Sequence, residues 1–154
     1  MSKKVSDEVK KERLIIKGRC EIYRNINGAW ARIRLKDNMV VDTGLEYIAD
    51  RMKDNSTPII SHIGVGTDNT AVASTDTTLG AEIARKAFDD LDAVDNQVIC
   101  ESIFGTGEAV ATWEEVAIFN HATAGTMINR INITYTKTSA EAVKVRFTLT
   151  FSRG

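Results

Sequence analysis

The sequence predicts a mainly β fold: an antiparallel two-sheet sandwich, jelly-roll-like, with one α-helix near residues 43–54. Three observations predict it. Short segments of strict apolar–polar alternation recur along the chain. Turn signals that suit antiparallel hairpins separate them, Asn27-Gly28 and Asp95-Asn96 among them. A single segment repeats at the helical period instead. With 154 residues, 43% of them apolar and 27% charged, the chain fits one domain with a sizeable core.

The first stretch, MSKKVSDEVKKER, carries Lys3, Lys4, Lys10, Lys11 and Arg13 against Asp7, Glu8 and Glu12. Its apolar anchors are only Val5 and Val9. It reads as a flexible charged arm, assigned to residues 1–17, with residues 18–154 forming the single sandwich domain. Such an arm suits ordering on a neighbouring protein. Its interspersed acids argue against a nucleic-acid arm, and a net charge of -1 over the chain exerts no pull toward nucleic acid or membrane. No apolar run approaches the ~18 residues of a membrane helix. The arm also lacks the apolar core of a secretory signal, so a cytosolic chain is expected.

From Leu14 the pattern turns β. Cys20 and Ile22 alternate with Glu21 and Tyr23, and Asn27-Gly28 supplies the two positive φ angles of a type I′ turn. Ala29, Ala31, Ile33 and Leu35 return, Asp37-Asn38 reads as a second turn, and Met39 to Val41 as a short strand. Thr43 with Glu46 three residues later matches a capping box. Leu45, Ile48, Ala49 and Met52 follow as a stripe expected to face the core. Asp54-Asn55-Ser56 and Pro58 stop the helix.

Ile59 to Val65 predicts a strand leading into a loop, Gly66 to Thr78, of small polar residues. A loop that long is functional or disordered in most compact domains. Further strands are expected at Glu82–Leu91, Gln97–Phe104, Ala109–Asn120, Thr126–Thr136 and from Val143. The last is the clearest, with Val143, Val145, Phe147, Leu149 and Phe151 on one face. About eight strands and few prolines leave edges that neighbouring subunits could cover.

Little in the chain points to catalysis. The only histidines, His62 and His121, stand outside CxxC, HxH or HExxH spacings, so a zinc site shared with Cys100 is a weak reading. No GxSxG elbow marks a nucleophile. The adjacent Glu114 and Glu115 should point to opposite faces of a strand and not pair. Asp68, Asn69 and Asp76 could offer oxygens to calcium, but without EF-hand spacing plain turn chemistry is preferred. Tyr23, Trp30 and Trp113 could stack on sugar, although packing is the commoner role. Cys20 and Cys100 read as reduced core thiols, since cytosolic disulfides are rare; their spacing leaves a disulfide open. No enzyme, cofactor or metal is expected.

Four motifs carry a resemblance: Asp42-Thr43-Gly44-Leu45, Ile63-Gly64-Val65-Gly66-Thr67, Leu79-Gly80-Ala81-Glu82-Ile83-Ala84-Arg85, and Glu115-Val116-Ala117-Ile118-Phe119-Asn120. Over roughly Met39 to Phe151 the chain resembles a family of small structural proteins of tailed bacteriophages, described as decoration, minor structural or tail-fibre-like proteins. Ala117 stands where that family usually has Gly, and Asp68-Asn69 where it has Gly-Thr. The resemblance implies a virion structural protein assembled in the host cytoplasm. It would be a homo-oligomer contacting the major capsid or tail proteins of the same virion, with no direct contact to nucleic acid or membrane. Capsid decoration or cementing is the leading expectation. A tail, neck or fibre-attachment subunit is the alternative, and a carbohydrate-binding module the competing class. The residues expected at the partner surface are Lys3, Lys4, Lys10, Lys11, Arg13, Asp68, Asn69 and Trp30.

Overall fold

The computed structural model describes residues 12–154. In chain order the elements are β1 (Leu14–Ile26), β2 (Ala29–Val40), α1 (Asp42–Lys53), β3 (His62–Gly66) and β4 (Glu82–Ala87). Then follow β5 (Asp90–Val94), β6 (Gln97–Phe104), β7 (Ala111–Phe119), β8 (Asn129–Lys137) and β9 (Val143–Arg153). The fold is mainly β with one helix, as expected. All nine strands join in one antiparallel sheet, ordered β4-β3-β7-β8-β2-β1-β9-β6-β5 and curled into a half-barrel.

The curl follows from chain connectivity. β4 and β5 lie at opposite edges of the sheet, yet only Phe88 and Asp89 separate them in sequence. The three steps from Ala87 to Asp90 span at most about 11 Å, so the two edges must be brought together. The Ser102 hydroxyl on β6 stitches this seam, within hydrogen-bond reach of the Lys86 carbonyl at 3.2 Å and the Ala87 carbonyl at 3.1 Å. The single strand expected over Glu82–Leu91 is therefore two. Phe88 donates its amide to Ser61 on one side, and Asp89 donates to Glu101 on the other.

The core fills the curl. Cys20, Ile22, Val145 and Phe147 from β1 and β9 meet Trp113, Val116, Ile131 and Tyr135 from β7 and β8. Trp113 stands edge-on to Phe104 and to Tyr135, with centroids 5.1 and 5.9 Å away. Cys20 and Cys100 flank Phe147 from the strands on either side of it. Two strand spacings, about 10 Å, exceed the ~7 Å that a disulfide tolerates; both thiols are free and buried.

Asn27 and Gly28 hold φ of 51° and 84°, as the type I′ turn requires. Other local expectations give way to packing. Leu14–Lys17, assigned to the arm, pair with β9 in register. Asp37 and Asn38 do not turn but continue β2. Thr43 does not cap α1: Val41 is the cap residue, with no side-chain bond, while the Thr43 hydroxyl donates to the Met127 carbonyl at 2.7 Å. The helix is also rotated from its expected face. Gly44 and Tyr47 are buried, whereas Leu45 is 48% and Met52 84% exposed. Gly44 sets that rotation, because a Cβ there would strike the backbone carbonyl of Ile128.

Candidate functional site

Strand β3 and the parts of β7 and β8 around Glu115 and Arg130 are covered on both faces, and the reason begins with a bulge. The β7–β8 register shifts between Trp113 and Glu115. Two steps on β7 face three on β8 there, and across this irregularity Trp113 and Val116 both enter the core while Glu115 turns to the outer face. There Glu115 is completely buried beneath residues 67–81. Its Oε1 accepts the Ala81 amide at 2.7 Å and its Oε2 the Gly80 amide at 2.9 Å.

Arg130, from β8, lies beside it, with Nε and Nη2 each 3.0 Å from Glu115 Oε2. The same guanidinium donates to the Thr70 carbonyl at 3.0 Å and to Asp76 Oδ2 at 3.2 Å. Asn132, two residues on and so on the same face, donates to the Thr70 carbonyl and accepts the Val72 amide at 3.1 Å. One buried ion pair and one amide thus tie both ends of a loop to the sheet. A buried charge pair is tolerable only where its remaining hydrogen-bonding capacity is also met, and the loop backbone meets it.

The glycines of this region are needed for the same closeness. A Cβ on Gly66 would strike Glu115 Oε1, and one on Gly64 would meet the Phe119 ring. A Cβ on Gly80 would enter the Asp68 carboxylate. Leu79, Ala117, Phe119 and Met127 fill a second small core at the edge of the loop. Arg85 lies over the Phe119 ring at 3.5 Å and donates to the carbonyls of His121 and Ala124.

The residues singled out from sequence fall in separate places. Lys3, Lys4, Lys10 and Lys11 lie outside the described residues. Arg13 is exposed, and its carbonyl accepts the Gly154 amide. Asp68 is occupied within its loop: the Thr70 hydroxyl and amide bind Oδ1 at 2.7 and 2.9 Å and hold the carboxyl below its usual range. Asp68 and Asp76 both face Arg130, at 4.0 and 3.2 Å, so a guanidinium stands where the calcium reading placed a cation. Asn69 is exposed and lines a polar groove with Arg34, Lys36 and Glu114. Glu114 accepts a bond from Thr134 rather than facing Glu115.

Trp30 lies at the far end of the β1–β2 hairpin, paired with Asn25, about 40 Å along the strand from Arg13. It shares an outer face with Tyr23, and Lys144 sits 5.0 Å from both ring centroids. Arg146 bridges Glu101 at 2.6 Å and the Tyr23 hydroxyl at 3.1 Å, and that hydroxyl donates to Glu21 at 2.6 Å. Burial raises the Glu21 carboxyl, but the bonds from Tyr23 and Arg32 outweigh it and bring it below its usual range. Trp113 takes no part in this face; it is wholly buried, and its indole N–H donates to the Ala109 carbonyl.

Neither histidine joins a cluster of three potential ligands among the described residues. His62 Nδ1 lies 2.7 Å from the Ser61 hydroxyl, and His121 Nδ1 accepts the Thr123 amide. Burial pushes the His62 imidazole below its ordinary value, helped by Arg85 and His121. Burial drives the Cys100 thiol up to about 12 and raises Cys20 further, so both stay protonated. Lys137 is buried and satisfied by carbonyls, of Gly105 at 2.8 Å and Glu141 at 2.9 Å.

Glu115 and Arg130 were not among the expected site residues. Arg130 directly follows Asn129 in a polar–apolar alternation that reads as a solvated face; only the covering loop reveals its partner. No family model, no curated protein and no solved structure matches the chain.

Proposed function

We propose that this chain is a structural component of a tailed-bacteriophage particle that decorates or cements the capsid shell through protein–protein contacts. The observation that carries this reading is where the motif residues spend their chemistry. Gly66, Gly80, Ala81 and Glu115, drawn from three of the four resembling segments, bind or accommodate one another. Gly44, Thr43 and Arg85 likewise dock onto backbone carbonyls. These positions specify a shape. They leave no acid, base and nucleophile converging on a cleft, which a reaction would need.

A stiff curled sheet with a tied-down loop presents its rims at little entropic cost on docking. In a particle a modest contact is repeated many times, so weak individual affinity suffices. We also read the curl as a jelly-roll-like sandwich, because β2 joins β8 through only two residue pairs, Met39–Arg130 and Val40–Asn129. A carbohydrate-binding role is favoured by one observation, the half-exposed Trp30 beside Tyr23 and two cations.

The test is localisation. Purified particles should contain the chain at a copy number near that of the major shell protein, with its density on the shell surface. Density confined to the tail or neck would transfer the reading to an attachment subunit, and absence from particles would end it. Glycan-array binding abolished by Trp30→Ala would favour the carbohydrate module.

A further inference from the structure

We infer that β5 is a docking edge: it takes up an extended segment of another protein, with alternating apolar and basic residues, as a further antiparallel strand of the sheet. The strand order ends at β5, so its outer side is unpaired among the described residues. All of its residues are exposed. The two-residue turn at Asp95-Asn96 makes Val94 and Gln97 the closing pair, bonded to each other across the ladder. Alternation then points the backbone groups of Asp90 and Asp92 at β6, and directs the N–H and C=O of Leu91 and Ala93 outward. In keeping with this, the Ala93 amide finds the Asp92 carboxylate, at 2.8 Å. An edge of this kind is a template for strand addition.

The opposite edge of the sheet is built differently. There β4 carries Arg85 and Lys86, in ion pairs with Glu82 and Glu108, and long cations blunt an edge. The β5 sequence, Asp-Leu-Asp-Ala-Val, has no Lys, Arg or Pro. Leu91 and Ala93 stand opposite Cys100 and Val98, so their side chains share the core face. That face continues into an apolar groove of about 620 Å³ beside α1, lined by Val98, Leu149, Phe151, Met52 and Ile59 among others. Met52 is 84% and Ile59 54% exposed there. An incoming strand lies about 4.8 Å beyond β5, which puts every second side chain over this apolar surface.

The other face of β5 selects the partner. Asp90 and Asp92 lie on it, Asp95 follows in the turn, and none of the three makes an ion pair among the described residues. The residues of a new strand that alternate with its groove-facing ones come beside these carboxylates, where Lys or Arg gains cross-strand pairs. The cation lining the groove, Arg51, is engaged with the Thr57 carbonyl at 2.7 Å. A second copy of β5 fits badly. With Leu91 paired to the copy's Ala93, Asp92 would face its own counterpart, like charges directly opposite. The acids thus oppose self-association and admit a basic segment. None of this depends on the particle reading; where that reading holds, this edge is where a segment of a shell or tail protein would enter.

Titration of the full chain with short synthetic peptides tests the inference. The probes are a peptide of alternating Lys and Val, its Glu/Val counterpart, and the Lys/Val peptide N-methylated at its Val residues, the ones that would bond to Leu91 and Ala93. The Lys/Val peptide should bind and slow amide exchange at Leu91 and Ala93 several-fold, leaving β4 unchanged. The Glu/Val peptide should bind about tenfold more weakly or worse, and N-methylation should abolish binding. Asp90→Lys/Asp92→Lys, at two exposed positions, should reverse the order of the two charged peptides, with circular dichroism confirming the fold; the three peptides on the unaltered protein decide the matter without it. No binding of the Lys/Val peptide at millimolar concentration would overturn the inference. Equal binding of both charged peptides, or binding undiminished by N-methylation, would do the same. So would a dimer of the free protein, seen by sedimentation, that protects the same two amides, because the occupant would then be a second copy. Each of these failures leaves the particle assignment to its own localisation test.

Discussion

The two halves of the sheet use the same strands differently. In β1, β9 and β6 one face is core and the other is wet, and on the wet face Arg146 pairs with Glu101 where water still reaches both side chains. Around Glu115 on β7 and Arg130 on β8 the outer face is roofed by residues 67–81, and these two charges are buried under that roof. A surface pair loses little when broken, because water replaces the partner. A buried pair cannot be rehydrated, so losing one member strands the other. Identical side-chain chemistry therefore carries different structural weight in the two halves, and the cover decides which.

The comparison can be broken most forcefully at Arg130. Arg130→Ala should cost about 3–5 kcal/mol and release the loop, because Glu115 is left buried and unpaired. Denaturant unfolding with amide exchange at Gly80 and Ala81 measures both effects. The double variant Glu115→Gln/Arg130→Met should recover much of that loss; a double variant as unstable as Arg130→Ala would show that the charges themselves hold the roof.

Next in size is the spacing between roof and sheet. Gly66→Ala places a methyl against Glu115 and within 2.6 Å of the Ala81 carbonyl. Such overpacking should cost about 1–3 kcal/mol, read from the thermal midpoint. An unchanged midpoint would mean the loop gives way freely and is not tied as described.

On the wet half, Arg146→Ala should cost no more than about 1 kcal/mol. A loss as large as that from Arg130→Ala would erase the distinction between the halves.

The smallest effect is on pH. The folded-state His62 pKa lies below its free value, so the unfolded chain takes up the proton first as pH falls. Stability should be whole above about pH 6.5 and decline from there through the lower folded value. His62→Gln should flatten that slope between pH 7 and 5. A slope identical in the variant would assign it to other groups.

Much of the chain's architecture is legible without coordinates. The Asn27-Gly28 hairpin and the alternation from Val143 to Phe151 read directly, because a turn type and a strand face depend on neighbouring residues alone. The helix was legible in place but not in orientation. Its stripe of Leu45, Ile48, Ala49 and Met52 suggested one face, and the contact of Gly44 with the Ile128 backbone selected another. Trp30 and Trp113 look alike as exposed-or-buried aromatics in strands; the bulge before Glu115 sends Trp113 into the core.

By itself, then, the sequence determined a β-rich, antiparallel chain with one helix, since local φ preferences and side-chain period suffice for that. The tertiary structure alone decided that Phe88 and Asp89 carry the chain from one sheet edge to the other. It alone decided that Glu115 meets Arg130, and that Gly80 and Ala81 close over them. Those outcomes join residues 15 to 35 positions apart. Their partners are set by how the curled sheet and its covering loop exclude water, a property that no short stretch of residues possesses.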